Sequence, residues 1–453
     1  MSRVFLQRNR SRQILTAVSM SAVFVSALLY SFSTMAAEEE DGPRAPPPTR
    51  SSDVLTERVF NQVSEIQELM SPEEEGVQPD YERAKVILDE LNERYDRLND
   101  FEKSTVLNFY TNYYLNTDNI PMALETFEKI LTIENLRPES RLRALMALGQ
   151  LYMGEEKFVE SIDAFTRWRE LSDEENENVY LGLANSHYNL SQYNEAIPFL
   201  INHMEMLSAA GRPIAKNIYG LLNLMYIELE DYVNAERITK QMVTLFDEPS
   251  DWRNLSAIYG YLDNDKKRIE TLSVTFAKGY MSSESEFLNL AQSLAGIDAP
   301  YKGARVLEKG IQDGVVEETE ENLQRLVQMY LLANEYEMAL APAIKAAETG
   351  ETGASYDQLG YIYYMMHDYE NAASAMREAL NRGGLENTGD AQLFLARALV
   401  ELDQFDEAAV AARRAQELGE SSATSFLNYI ENSKARFENL RIRKQDAIDF
   451  YRS

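Results

Sequence analysis

At 453 residues, 45% hydrophobic and 26% charged, the chain has material for several packed domains or one long repeat array. Lys and Arg total 44 against 74 Asp and Glu, a formal net charge of −30, which argues against binding along a phosphate backbone. Cysteine is absent and histidine occurs three times, which removes disulfides, thiolate chemistry and multi-His metal sites from the possible functions.

The N-terminus reads as an export address. Arg3, Arg8, Arg10 and Arg12 precede an uncharged apolar stretch over 14–32, then small residues Ser33 to Ala37 and an acidic run from Glu38 to Asp41. This order predicts a secretory signal peptide over 1–37, cleaved after Ala36 or Ala37. An uncleaved anchor is the rival, because the apolar stretch is just long enough to span a bilayer. Residues 38–52 are acidic, then rich in Pro and Ser, and read as a linker. An exported chain without Cys fits the periplasm.

Residues 53–100 predict a divergent helical hairpin with a longer loop near 71–79. Beyond it the chain repeats itself. The clearest unit, 353–386, carries Tyr356, Leu359, Gly360 and Tyr363 on a first helix and Ala372, Met376 and Ala379 on a second. Spacings of three and four place each set on one helix face. A polar turn, His367-Asp368-Tyr369, joins the two. Gly360 and Ala372 are expected where the helices cross closely, since a larger side chain would push them apart.

A small or medium residue equivalent to Gly360 recurs at Thr111, Gly149, Ala184, Asn223, Ser256, Ala291, Val327 and Ala396, spaced 33 to 39 residues apart. Twelve residues after each lies a second small residue, from Ala123 to Ala408, with Arg268 the exception. This period and pairing resemble tetratricopeptide (TPR) repeats, helix–turn–helix units of 34 residues. The resemblance implies an all-α right-handed solenoid of nine to ten hairpins. Nine units cover 104–422, and the weakest is 249–282, where Arg268 stands. Residues 423–438 predict a capping helix, and 439–453 a basic tail.

Three segments go beyond the generic repeat: SDWRNLSAIYGYL (250–262), PYKGARVLEKGIQDGVVEET (300–319) and EALNRGGLENTGDAQLFLARAL (378–399). They are similar to periplasmic TPR proteins encoded beside TonB–ExbB–ExbD systems in gammaproteobacteria. That resemblance implies an accessory protein of an energy-transduction complex, with TonB-, ExbB- or ExbD-type components as possible partners.

Little else suggests chemistry. No phosphate loop or nucleophile elbow occurs, and Gly383-Gly384 fits a helix C-cap. His187 and His203 fall on helix packing positions and His367 in a turn. The acidic runs lack the oxygen spacing of a Ca²⁺ loop and fit solvated helix starts. No catalytic residue, cofactor or metal is expected, nor a nucleic-acid partner; the N-terminal apolar segment would meet a membrane only during export unless it stays uncleaved.

The expected activity is therefore protein–protein binding, on the wall that first helices line in a TPR stack. Positions one, four and five after the small residue, and three before it, should face that wall. The leading cluster is Tyr361, Tyr364, Gln328 and Arg397, joined by Gln324, Gln292, Tyr261, Arg253, Tyr188 and Asn185. Amides can pair with both donors and acceptors of an extended peptide, and tyrosines supply rigid contact area. The competing reading is that these side chains only solvate a groove. A scaffold for envelope assembly or cell-wall enzymes is the alternative function, and an enzyme the remote one.

Overall fold

The computed structural model describes residues 54–74 and 76–452. The expected signal peptide and linker lie outside the described residues. Among the described residues there are 21 α-helices, which fall along the chain into ten consecutive pairs and a last single helix. The fold is an all-α solenoid of TPR type.

The chain divides into two compact units, one ending at Asp231 and the other beginning at Tyr232. The first unit holds α1 (Glu57–Met70), α2 (Tyr81–Asn92), α3 (Asp100–Asn116), α4 (Ile120–Leu131), α5 (Pro138–Gly154), α6 (Phe158–Leu171), α7 (Glu177–Asn189), α8 (Tyr193–Ala209) and α9 (Lys216–Glu228). The second begins with α10 (Tyr232–Leu245), α11 (Pro249–Tyr261), α12 (Asp265–Ala277), α13 (Glu284–Gly296) and α14 (Pro300–Gln312). It continues with α15 (Glu320–Leu332), α16 (Tyr336–Thr349), α17 (Ala354–Met365), α18 (Tyr369–Arg382), α19 (Thr388–Glu401), α20 (Phe405–Glu417) and α21 (Ala423–Arg452).

The small-residue positions are buried in both helices of every pair from α3 to α20, with Arg268 half-buried. Among the glycines at these positions the closest approach is at Gly303 of α14, where a Cβ would lie 2.5 Å from the main-chain oxygen of Ala291 on α13. Gly360 is different from expectation. A Cβ there would meet the Met376 side chain at 2.9 Å, so it makes room for a thioether and not for the backbone beside Ala372. In the first unit, Phe165 of α6 is fully buried, and its ring fills the space above Gly149 of α5 and Gly182 of α7. Beside it, Ser161 Oγ donates to the Gly149 carbonyl at 2.8 Å and lies 3.0 Å from Ser186 Oγ. Ser186 must then be the donor to Ser161, so one hydroxyl chain ties α5, α6 and α7 together.

Arg268 shows what a long side chain does at a small-residue position. Its guanidinium leaves the crossing and donates to Asn289 Oδ1 at 2.9 Å and Ser293 Oγ at 3.3 Å on α13. It also pairs with Asp265 at 3.1 Å.

Every turn inside a pair, from α3–α4 to α19–α20, has the same backbone. The seventh residue after the first small position takes a left-handed conformation, with φ between 51° and 62°, in all nine: Asp118 and Glu156 are the first two, His367 and Asp403 the last. The next residue's N–H closes the turn on the carbonyl five residues back, as in Lys157 to Tyr152 at 2.8 Å and Asp368 to Tyr363 at 2.9 Å. This is the Schellman closure of a helix end, here carried mostly by Asp, Asn and Glu rather than Gly. Gly383, at φ 73°, caps α18 as its sequence suggested.

The C-terminus corrects the sequence reading. No break occurs at 438: α21 runs as one helix of 30 residues from Ala423 to Arg452, so the expected basic tail is helical as far as Arg452. Its first turns cap the last pair, with Ala423 and Ile430 buried.

Candidate functional site

The first helices of the last repeats bring three of the four leading residues together. Tyr361 and Tyr364 are one turn apart on α17 and share a face, as helical geometry requires. Both meet Phe394 of α19 edge-on, at centroid distances of 5.7 and 5.9 Å. The Arg397 guanidinium, one turn further along α19, lies 4.9 Å from the centre of the same Phe394 ring. Tyr363 instead faces a separate open cleft of about 540 Å³ between α17 and α18, beside Tyr356 and Asn371.

Tyr364, Arg397, Val400 and Glu401 open onto a cleft of about 240 Å³ whose far side is Phe426 and Tyr429 of α21. Those two rings stack at 5.6 Å, and Tyr429 remains 53% exposed. Burial, and after it the Glu401 carboxylate, hold the Tyr364 phenol above its usual range, while Arg397 pulls the other way. Tyr361 is likewise raised by burial and by the Tyr336 hydroxyl beside it. Both phenols therefore stay protonated and able to donate a hydrogen bond near neutral pH. Asp357, three residues before the small position on α17, has its carboxyl pushed up by burial and by Asp390 of α19. The patch thus offers an aromatic floor, one guanidinium, phenolic donors and nearby carboxylates. That set can hold an apolar or cationic side chain of a peptide and bond its backbone. It contains no nucleophile–base pair, and among the described residues no group of three or more His, Asp or Glu could hold a metal.

The other candidates are more scattered. Gln328 of α15 is exposed and meets Gln358, one turn before Tyr361, at 3.5 Å. Gln324 is engaged within the fold, donating to Ser355 Oγ at 2.7 Å and Glu320 Oε1 at 3.1 Å. Gln292 is exposed on α13. Arg253 of α11 lies 3.6 Å from Glu286 in the first turn of α13. Tyr261 stacks flat on Tyr232 at 4.7 Å and is still 62% exposed. Tyr188 packs against Tyr193 at 5.9 Å, and Asn185 lends its carbonyl to Asn189 at 2.8 Å. These last two belong to the first unit, apart from the cluster in the second.

Sequence reasoning passed over Phe394, Glu401, Phe426 and Tyr429. Phe394 sits two residues before the small position, outside the positions expected to face the wall. Its spacing of three from Arg397 was the available signal. Phe426 and Tyr429 lie on the capping helix, outside the repeat register.

Of the histidines, His203 is buried and its Nδ1 lies 3.0 Å from the Glu177 carbonyl. His187 stacks on Phe199 at 5.6 Å, and His367 is exposed in its turn. Among the described residues, no helix is long and apolar enough to cross a membrane.

No protein-family model and no curated protein matches the chain. Solved structures do resemble it. The Naa15/Naa10 complex bound to HypK-THB aligns over 86% of this chain and 67% of its own, at 12% identity and a TM-score of 0.40. A tetratricopeptide repeat protein from Parabacteroides merdae aligns over 65% of this chain and 98% of its own, at 14% identity and a TM-score of 0.30. MamA from Desulfovibrio magneticus aligns over 39% of this chain and 97% of its own, at 18% identity and a TM-score of 0.31. The nine-fold recurrence of crossing and turn, and not these partial overlaps, carries the repeat assignment.

Proposed function

We propose that the protein is a non-enzymatic periplasmic adaptor whose last repeats hold an extended, basic peptide segment of a TonB-type energy-transduction complex. The observation that carries the binding reading is the aromatic patch of Tyr361, Tyr364 and Phe394 with Arg397, opening onto the cleft that Phe426 and Tyr429 close. Aromatic rings flanked by a guanidinium are a frequent composition of binding hot spots. Preference for a basic segment follows from the net charge of −30 and from Glu401 at the cleft. The periplasmic setting rests on the layout of residues 1–37, and the TonB context on the similarity of 250–262, 300–319 and 378–399 to proteins of that setting.

The test is capture of the basic, Pro-rich periplasmic segment that TonB-like proteins carry, by the wild-type chain and by a Tyr361→Ala/Tyr364→Ala variant. Capture that weakens with salt, and is lost in the variant while the melt is preserved, supports the proposal. Because both tyrosines pack on Phe394, Glu401→Lys is a second variant that leaves those ring contacts in place and should weaken capture of a basic segment. Undiminished capture in both variants, or capture indifferent to salt, overturns it.

A further inference from the structure

The last helix carries a feature that the repeats do not use. Along α21, spacings of alternately three and four pick out Ala423, Phe426, Ile430, Ser433, Phe437, Leu440, Lys444, Ala447 and Tyr451. This is one continuous heptad seam. Its first half is covered: Ala423 and Ile430 are buried, Phe426 packs against the last repeat, and Phe437 meets Phe405 of α20 at 5.6 Å. Its second half continues the same line, with Leu440 55% and Tyr451 86% exposed.

The two edges of that seam are cationic over 436–443 and apolar beyond, at Ile448 and Phe450. Arg441 flanks it on one side, Arg436 and Arg443 on the other, and Lys444 sits within it; Lys434, on the Arg441 side, is already paired with Asp406 of α20 at 2.6 Å. The acids of this stretch, Glu438, Asp446 and Asp449, lie on the opposite side of the helix. Over 434–453 there are six Lys and Arg against three Asp and Glu, the reverse of the chain as a whole.

We propose that residues 437–451 of α21 are a docking helix for a partner helix whose own apolar seam is edged with Glu or Asp. Flanking charges choose the partner in paired helices, because like charges face each other across a wrong pairing. Pairing α21 with a copy of itself would set Arg against Arg whether the helices ran parallel or antiparallel. An acid-edged helix instead meets Arg436, Arg441 and Arg443 and gives Lys444 a counter-charge. A bilayer surface fits less well, since a lysine stands in the middle of the seam and the exposed Ile442 lies on the far side of the helix, among the acids.

The full chain is titrated with two synthetic peptides of about three heptads, sharing a Leu seam and differing in edges of Glu or Lys. The Glu-edged peptide should bind at least about tenfold tighter, and more tightly at low salt. Arg436→Glu/Arg441→Glu/Arg443→Glu should reverse the preference. Leu440→Asp should abolish binding with the melt unchanged, because Leu440 is exposed. Equal affinity for the two peptides, or none for either, overturns the proposal. So does self-association of the chain that Leu440→Asp abolishes, which would make a second copy the occupant. Sedimentation with phosphatidylglycerol vesicles that the same variant abolishes would make it a membrane anchor.

Discussion

Two glycine-to-alanine substitutions at neighbouring hairpins should act in opposite directions. At Gly303 the new methyl would stand 2.5 Å from the carbonyl oxygen of Ala291, against a usual carbon–oxygen contact of about 3.3 Å. The opposing atom is main chain in a helix, so α13 and α14 must part by roughly 0.8 Å, the difference between these two distances. Overpacking of this kind costs about 1–3 kcal/mol, and the better helix propensity of Ala recovers up to about 1. We expect a net loss of about 1–2 kcal/mol. Gly260, by contrast, would place its methyl 3.7 Å from the Arg268 side chain, an ordinary contact. There only the propensity gain remains, up to about 1 kcal/mol. Global melting of two compact units need not be two-state, so amide hydrogen exchange is the sharper assay. Amides of α13 and α14 should exchange about 5–30-fold faster in Gly303→Ala. Amides of α11 and α12 should slow in Gly260→Ala. Unchanged or slowed exchange around Gly303 would show that the helices can part without cost, and would refute the steric account of the small-residue ladder.

Other outcomes follow from single contacts. Glu156→Gly relieves a left-handed residue and should stabilise the α5–α6 pair by about 0.5–1 kcal/mol in local exchange, after the greater freedom of Gly in the unfolded chain is counted. Ser161→Ala leaves the buried Ser186 hydroxyl without its acceptor and should cost about 1–3 kcal/mol, read from the exchange of α5 to α7. Burial holds His203 below its usual 6.5, so the unfolded chain binds the proton more readily. Its contribution is complete above that value and is lost as pH falls through it; His203→Gln should flatten the acid side of the stability profile of the first unit.

The repeat was legible because helix crossing imposes a steric demand that few residues meet. Gly149, Ala184, Ala291 and Ala396 keep their spacing whatever the surface does around them. The reason for an individual small residue was harder to read: Gly360 yields to Met376, a partner that spacing does not reveal. The tyrosine pair on α17 was also legible, since positions three apart share a face on any helix. Its floor was not, because Phe394 comes from the next repeat and Phe426 and Tyr429 from outside the register. The extent of α21 was misread because the sequence turns basic there and was set apart as a tail, although no Gly or Pro follows to stop the helix.

The nine left-handed turn residues are all exposed, and a main-chain bond rather than their side chains closes the turn. The chain has no native cysteine. A single thiol introduced at Glu156 or Ser191 in the first unit, or at Asn334 or Asp403 in the second, would therefore be the sole attachment point for a fluorophore or spin label. It would stand at the same local geometry in each hairpin. Pairs of such labels within one unit would form a molecular ruler graduated by the repeat itself, reporting any stretching or tightening of the stack when a ligand settles on the first helices.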